Sequence, residues 1–436
     1  MDTKLIEKDF QSKEYKRSRV SYMMECTFEY FVSIFVIEAY LAKVLQYIGV
    51  NDSLIGIISS LISLSQLFQL FSIFVVQRIS NTKRFVVPFH MIGQLLFMSL
   101  YFVPFMPFAK EYRTVIAIAC ILLAYFGNYF VTNIIYNWGN SYVEPHHRAR
   151  FGATKESISL VTGVVVTLVV GQVMDAFDAN RNPEGGFIFA AISILIFCIS
   201  DFVCLLLIKN DIKPRRTMEK TEPVRMVMKR LAGNRGFWNI IILTILWNMA
   251  IYTTIGFLGT YRINENELGF TVGQVAIISI VGSLGRALFS RPFGKYADKY
   301  SYAKALRLAL IIAAASFAVN VFTTPSTRFL IIVHTFLYCV CWAGIGVNML
   351  NIVYSYIPKE YFVQASAIKN CVGGVCGFVI SIFAGMLLER IQSNGNEIFG
   401  IHVYGQQVLS LISFALLVVA ILFTKFVMEK EKSMIQ

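Results

Sequence analysis

The chain carries the stretch EPHHRARFGATKESISLVTGVVVTLVVGQVMD at residues 144–175 and repeats its pattern in IPKEYFVQASAIKNCVGGVCGFVISIFAGMLLE at residues 357–389. In each copy a proline opens a polar segment, a lysine follows, and two glycines and an acidic residue lie in the apolar run beyond it. Lys155 aligns with Lys369, and the aligned positions are 213 or 214 residues apart. A pattern that recurs half a chain away indicates two similar halves.

A second pair of stretches supports this division. IGVNDSLIGIISSLIS (48–63) matches LGFTVGQVAIISIVGS (268–283) at a spacing of 220 residues. The two offsets predict an N-terminal six-helix bundle over 1–208 and a C-terminal six-helix bundle over 237–436, joined by a polar linker at 209–236.

The composition places these bundles in a membrane. Of the 436 residues, 56% are hydrophobic and 15% are charged, with a mean hydropathy of +0.62, which is too apolar for an ordinary soluble protein. Apolar segments of roughly 20 residues recur, each long enough to cross about 30 Å of hydrocarbon. The predicted spans 1 to 12 are 20–45, 53–76, 85–108, 113–138, 152–176, 186–208, 237–260, 272–293, 303–323, 328–354, 363–389 and 402–427. We therefore expect an all-α membrane protein.

The basic residues predict the orientation. With the N-terminus inside, 28 of the 39 Lys and Arg residues lie in cytoplasmic segments and six lie in outer loops. This bias predicts that both termini are cytoplasmic and explains the net charge of +13 without a nucleic-acid partner. Residues 1–20 lack the apolar core and cleavage site of a secretory signal, so we expect span 1 to be a retained anchor in the plasma membrane.

The polar linker contains a predicted amphipathic helix. Thr221 can cap this helix, Pro223 stands in its first turn, and Val224, Met228 and Leu231 share an apolar face opposite lysines and arginines. The helix is expected either to lie on the inner leaflet or to belong to a solvated linker.

The loop after span 8, GKYADKYS, carries a short motif. Gly294, Asp298 and Lys299 match the signature Gly-x-x-x-Asp-Arg/Lys-x-Gly, with Ser301 in place of the second glycine. With the span count, the repeat spacing and the long middle linker, this motif resembles the major facilitator superfamily (MFS) of secondary transporters. The resemblance covers nearly the whole chain.

The corresponding loop after span 2 departs from that signature. Arg78 stands opposite the lysine of the motif, but Gln77 replaces the Asp and Ile73 replaces the first glycine. The resemblance implies an MFS fold, in which two pseudo-symmetric bundles rock about a cavity lined mainly by spans 1, 4, 7 and 10. It also implies a gate at the cytoplasmic loops, although Arg286 can instead contact the ligand. The candidate gating residues are Gly294, Asp298, Lys299, Arg78 and Arg286.

Span 1 contains three glutamates, and ionised side chains in hydrocarbon are costly. At about 100° and 1.5 Å per residue, Glu25 and Glu29 share a face, with Glu29 near the midplane, whereas Glu38 lies near the outer surface. We predict Glu29 as a proton-coupling carboxylate, with Glu25 and Lys155 as its charged neighbours. A structural Glu25–Lys155 ion pair and a Lys155 that snorkels to the surface are the alternatives. Asp201 in span 6 is a packing contact or a functional acid.

Polar and aromatic residues mark the spans expected to line the cavity. Aromatic faces beside amides suit sugars and other polar ring compounds. Lys369 can bind an anionic group, and hydrogen bonding between helices is the structural alternative for the polar residues. The candidate substrate-binding residues are Asn133, Asn137, Trp247, Asn248, Tyr252, His334, Tyr338, Trp342 and Lys369.

The sequence argues against several kinds of chemistry. All eight cysteines lie in predicted spans, so neither a disulfide framework nor a metal cluster is expected. Phosphate-loop, HExxH, GxSxG and dinucleotide motifs are missing from the sequence. We expect no enzymatic activity, no cofactor and no metal site.

We therefore expect a monomeric secondary transporter in the lipid bilayer that moves a small organic solute, sugar-like or otherwise polar, by proton-coupled alternating access. A proton-driven exporter of drugs or amphipaths is the alternative within transport. Span 5 disfavours it, because the glycine series with Gly163 and Gly171 lacks the Gly-Pro ending of antiporters. A nutrient receptor or a membrane enzyme on the same scaffold is the alternative from another class.

Overall fold

The computed structural model describes residues 11–71, 81–144, 148–210, 224–358, 361–398 and 400–430. Helices dominate these residues, which confirms the all-α prediction. In chain order the helices are α1 (Lys13–Ile34), α2 (Glu38–Tyr47), α3 (Asp52–Ser59), α4 (Leu61–Ser65), α5 (Thr82–Leu100), α6 (Lys110–Asn140), α7 (Arg148–Ala179), α8 (Pro183–Leu207), α9 (Val224–Ala232), α10 (Arg235–Tyr252), α11 (Ile255–Ile263), α12 (Val272–Lys299), α13 (Tyr302–Val321), α14 (Leu330–Tyr356), α15 (Phe362–Ser393) and α16 (Gly405–Phe426). Short 3₁₀ turns occupy Val103–Phe105, Pro325–Thr327 and Met428–Lys430, and strands β1 (Glu397–Ile398) and β2 (Ile401–His402) pair antiparallel before α16.

Within the described residues, 10 helices are long and apolar enough to cross a membrane. They correspond to predicted spans 2 and 4–12. Span 1 falls outside this set because the 22-residue α1 carries several charged residues, among them Arg19, Glu25 and Glu29, and α2 has only 10 residues. Span 3 forms the 19-residue α5, which ends at Leu100 before a 3₁₀ turn.

The chain forms two compact units. The first comprises Met1–Val50 and Phe68–Glu219, and the second comprises Asn51–Leu67 and Lys220–Gln436. The repeat-based division into bundles stays a prediction. In the structure, residues 51–67 pack in the second unit, although that division assigns them to the N-terminal bundle.

The first unit is held together by α1 packed on α7 and α8 and by α5 packed on α6. Its core includes Tyr22, Val86, Val131 and Leu205, all nearly inaccessible to solvent. Small residues let α5 and α6 approach closely: a Cβ added at Gly127 would lie 2.9 Å from the Phe89 carbonyl oxygen. This close packing fixes how α5 sits against its neighbours.

In the second unit, α13 packs on α14 and α16, and α10 packs on α15. The helices α3 and α4 pack on α11 and α15 through small residues. We call this contact the serine-glycine seam, and it includes Gly56, Ser60, Ser63, Gly256 and Gly374. Ser63 Oγ donates to the Gly374 carbonyl oxygen at 2.8 Å. A Cβ added at Gly256 would lie 2.5 Å from Ser60 Oγ and 2.6 Å from the Gly56 carbonyl oxygen. No larger side chain than glycine fits at Gly256 while this seam is closed.

Two spans are interrupted at corresponding positions of the repeat, α1/α2 in the first unit and α10/α11 in the second. Each interruption frees a backbone carbonyl, and a side chain from another helix or turn bonds to it. Tyr101 Oη donates to the Phe35 carbonyl oxygen at 2.7 Å, and Gln406 Nε2 donates to the Thr254 carbonyl oxygen at 3.2 Å. Broken helices are tolerated at membrane depth only where freed backbone groups are paired in this way.

The first interruption corrects the prediction for span 1. Residues 20–45 do not form one helix, because the chain turns at 35–37 and α2 begins at Glu38 with a φ of +47°. The position of Glu38 relative to Glu29, predicted from one continuous helix, therefore does not apply.

The predicted linker helix is present as α9. Leu231 is buried in the core of the second unit, whereas Met226 and Met228 are exposed. Thr221 and Pro223 lie outside the described residues. Contact of this helix with the leaflet stays a prediction.

Candidate functional site

Helix α1 places two carboxylates one turn apart inside the first unit. Glu25 is fully buried and Glu29 is half-buried. Glu25, Cys26 and Glu29 can each place one ligand atom within 4.8 Å of the other two. Cys26 Sγ donates to Glu25 Oε2 at 3.2 Å. The two predicted glutamates are thus brought together, at different degrees of burial.

Lys155 on α7 lies beside these carboxylates but does not form the predicted ion pair with Glu25. Its Nζ lies 3.3 Å from Tyr22 Oη and 3.2 Å from Cys26 Sγ. The same ammonium group stands 4.8 Å from the ring centroid of Tyr22 and 4.7 Å from that of Tyr136. Both contacts are of the cation–π type, and the snorkelling alternative stays a prediction.

Sequence reasoning missed one ionisable residue in this region. His90 on α5 is fully buried, and its Nε2 lies 2.7 Å from Oδ2 of the equally buried Asp201 on α8. Glu25 belongs to the same cluster, because one ligand atom from each of the three residues lies within 4.8 Å of the others. A histidine within apolar span 3 was the available signal, but the sequence alone does not reveal that these spans meet.

The predicted aromatic residues of the second unit form a connected set. The Trp247 and Trp342 rings contact edge to face at a centroid distance of 5.6 Å, and Tyr338 lies 6.3 Å from Trp342. His334 stacks on Tyr338 at 6.0 Å. The structure therefore brings these four residues of α10 and α14 together.

Two of the predicted polar residues are occupied by helix packing. His334 is fully buried, with Nδ1 2.9 Å from Ser316 Oγ of α13, and Asn248 Nδ2 donates to the Thr244 carbonyl oxygen at 2.9 Å within α10. Tyr252 packs beside Gly377, where an added Cβ would meet its ring at 2.6 Å. These contacts agree with the structural alternative and leave substrate binding untested.

Lys369 on α15 differs from these residues. Its side chain is only 7% exposed, and Nζ donates to the Met349 carbonyl oxygen at 3.3 Å. Among the described residues, no carboxylate forms an ion pair with it. A buried ammonium group without a counter-ion favours a negatively charged ligand.

For the predicted gating residues and two of the predicted substrate-binding residues, the structure gives few contacts or none. Gly294 has open space where a Cβ would stand, and Lys299 Nζ lies 5.2 Å from the Tyr300 ring centroid. Arg286 on α12 is half-buried. Arg78 lies outside the described residues, as do the side chains of Asn133, Asn137 and Asp298 on their helices.

Comparisons with known proteins agree with this architecture. The family model for the Major Facilitator Superfamily matches residues 20–381. No curated protein sequence matches the chain. Among solved structures, a mutant of the nucleoside transporter NupG is similar at a TM-score of 0.72 and 13% identity, covering 94% of this chain and 99% of that one.

Two further solved structures share the fold. A bacterial homologue of the human lysosomal transporter Spinster, in an inward-facing and unoccupied conformation, has a TM-score of 0.68 and 13% identity over 95% of this chain and 97% of that one. An auto-inhibited POT family peptide transporter has a TM-score of 0.69 and 10% identity over 97% and 98%. Because the family model matches most of the chain, this protein belongs to the Major Facilitator Superfamily and is a multi-pass membrane transporter, not an enzyme.

Proposed function

We propose that this transporter moves a small polar organic solute across the plasma membrane by alternating access and couples that movement to protons. The proposal rests on the position of Glu29, a half-buried carboxylate one helical turn from the fully buried Glu25. An ionisable group inside a spanning segment is costly unless it faces water, a partner or a transported ion. Because Glu29 keeps part of its surface accessible, it can exchange a proton where Glu25 cannot.

Lys155 provides the second charge for this step. Its ammonium group is held by Tyr22 and Cys26 of α1 and by the Tyr136 ring of α6. We propose that Lys155 compensates Glu29 after the proton leaves. A fixed cation beside a carboxylate is a recognised means of setting proton affinity.

The second unit supplies the proposed contacts for the solute. We propose that the half-buried Trp342, backed by the buried Trp247, supplies a flat apolar surface for a ring, and that Lys369 supplies a buried positive charge. Together they favour a polar ring compound that bears a carboxylate or phosphate. The nucleoside and peptide transporters of similar fold make nucleosides, nucleotides, sugar acids and peptides the first compounds to screen.

Alternating access requires two sets of contacts to part in turn. The serine-glycine seam is the proposed outer set, since α3 and α4 pack through it on α11 and α15. The motif residues Gly294, Asp298 and Lys299, which the structure places in the last turns of α12 and not in the predicted loop, form the proposed cytoplasmic set together with Arg78 and Arg286. The distribution of basic residues supports cytoplasmic termini, and we propose a monomer.

The test is transport in proteoliposomes, with a solute first identified by thermal shift against the compounds above. In Glu29→Gln, accumulation driven by an acidic exterior should fall to background, because the amide cannot carry a proton. Exchange of labelled for unlabelled solute should persist, since exchange needs no net proton movement. Glu38→Gln, at the start of α2, is the matched control and should behave as wild type. Full pH-driven accumulation by Glu29→Gln rejects the assignment.

A further inference from the structure

Glu25 on α1, His90 on α5 and Asp201 on α8 meet inside the first unit, and each side chain is fully buried. One ligand atom from each residue lies within 4.8 Å of the other two. Helices from three separate parts of the chain therefore bring two carboxylates and an imidazole to one point. Glu29, which carries the proposed proton coupling, is not one of these three residues.

The cluster contains several buried polar atoms that lack a hydrogen-bond partner among the described residues. They are Glu25 Oε1, His90 Nδ1 and Asp201 Oδ1. Gln94, one turn from His90 on α5 and 1% exposed, adds its Oε1 to this set, and its Nε2 lies 3.4 Å from His90 Nε2. Buried polar atoms are almost always paired, so unpaired atoms on four neighbouring buried side chains favour a further polar or charged group at this cluster.

The charges of the cluster indicate that this group is a cation. Two carboxylates face one imidazole, which carries at most one positive charge. Lys155, the basic residue near this part of α1, is engaged by Tyr22 and Cys26. A proton joins only two heavy atoms, whereas a metal ion contacts three or four ligand atoms at once.

We propose that Glu25, His90 and Asp201 form a binding site for a divalent first-row transition-metal ion, with Gln94 Oε1 as a fourth ligand. An imidazole nitrogen combined with carboxylate oxygens suits ions such as Zn²⁺, Co²⁺ and Mn²⁺. Mg²⁺ and Ca²⁺ prefer sites made of oxygen alone. The ion would join α1, α5 and α8, which the sequence does not anticipate because its four ligands lie on three separate spans.

Metal binding can be measured on the purified full-length protein without its affinity tag. His146 and His147 are adjacent in a polar segment and could bind metal independently, so both are first changed to Gln. The protein is treated with a chelator and titrated with Co²⁺ and Zn²⁺ by calorimetry, and the visible absorption of Co²⁺ reports its ligands. We expect one ion per chain, Co²⁺ bands typical of nitrogen and oxygen ligands, and no competition from Mg²⁺.

Substitution of the ligands locates the site. Glu25→Gln, His90→Gln and Asp201→Asn should each weaken Co²⁺ binding by about 100-fold or more, since loss of even an outer-shell partner costs about 10–100-fold. His334→Gln is the matched control, because His334 is equally buried but bonds to Ser316. Its metal affinity should equal that of wild type. Thermal melting without metal verifies that each variant is folded.

Two results would overturn the proposal. One is a wild-type protein that binds neither Co²⁺ nor Zn²⁺, which would leave protons as the only cations of the cluster. The other is undiminished binding in the three ligand variants, which would place the ion elsewhere. If a variant fails to fold, the wild-type Co²⁺ spectrum still decides, since a spectrum of fully hydrated Co²⁺ contradicts the site. These measurements need no transport, so they are independent of the proposed function.

Discussion

At the scale of single residues, Lys369 gives the sharpest prediction about the solute. Its buried ammonium group bonds only to the Met349 carbonyl oxygen among the described residues. In Lys369→Met, an anionic solute should bind about 10–100-fold more weakly, because a hydrogen bond to a charged group contributes about 1.5–3 kcal/mol. Folding stability should hold or rise, since an unpaired buried charge is removed. Calorimetric titration and thermal melting measure both effects, and unchanged solute affinity contradicts the role.

A second residue-scale prediction concerns pH. Glu267 lies in the loop between α11 and α12 and is 7% exposed. Burial and the nearby Asp52 charge raise its pKa to about 8, although a hydrogen bond from Gln392 lowers it in part. A carboxyl whose pKa is higher in the folded state contributes stability below its unfolded value near 4.5, and that stability is lost as pH rises through about 8. The melting temperature should therefore fall between pH 5 and pH 8.5, by about 2–4 °C for each kcal/mol lost. In Glu267→Gln this part of the decline should vanish, and an unchanged pH profile contradicts the assignment.

The same residues define what the sequence could and could not predict. Glu29 could be predicted as a functional candidate because a carboxylate in an apolar span is costly on any face of the helix. Lys369 could be predicted because the repeat aligns it with Lys155. The His90–Asp201 contact was not recognisable, since it depends on which faces of α5 and α8 meet. The Glu25–Lys155 ion pair, one of the alternatives drawn from the sequence, does not form for the same reason: Glu25 contacts Cys26 Sγ, whereas Lys155 turns to Tyr22 and Tyr136.

At the scale of elements, the interrupted helices depend on side chains that bond to freed carbonyls. Tyr101→Phe keeps the ring but leaves the Phe35 carbonyl oxygen without its donor. Because an unpaired buried acceptor costs about 1–3 kcal/mol, this variant should melt several degrees below wild type. Tyr112→Phe, at the exposed start of α6, is the control and should be neutral. Equal melting temperatures for both variants would show that the interruption does not rely on Tyr101.

The apolar runs predicted that these spans exist but not that they are interrupted. Sharp kinks usually occur at proline, and the sequence has no proline at either break.

At the scale of the whole molecule, the serine-glycine seam predicts how a larger side chain within it shifts the equilibrium between its closed and open conformations. Gly256→Ala places a Cβ against Ser60 and the Gly56 carbonyl, so the seam cannot close as observed. In a background without the eight native cysteines, a cysteine placed at buried position Ser60 should then be labelled by a polar maleimide several-fold faster. Gly346→Ala, where a Cβ meets open space, is the matched control. Equal labelling rates in the two variants would contradict the proposed outer gate.

A pH-sensitive dye inside proteoliposomes tests most directly whether solute movement carries protons through Glu29. When the identified solute is added outside wild-type proteoliposomes without an imposed pH gradient, the interior should acidify as protons enter with it. Glu29→Gln proteoliposomes should show no acidification, although they still exchange labelled solute. Solute entry without acidification in the wild type, or equal acidification in Glu29→Gln, would contradict proton coupling through Glu29.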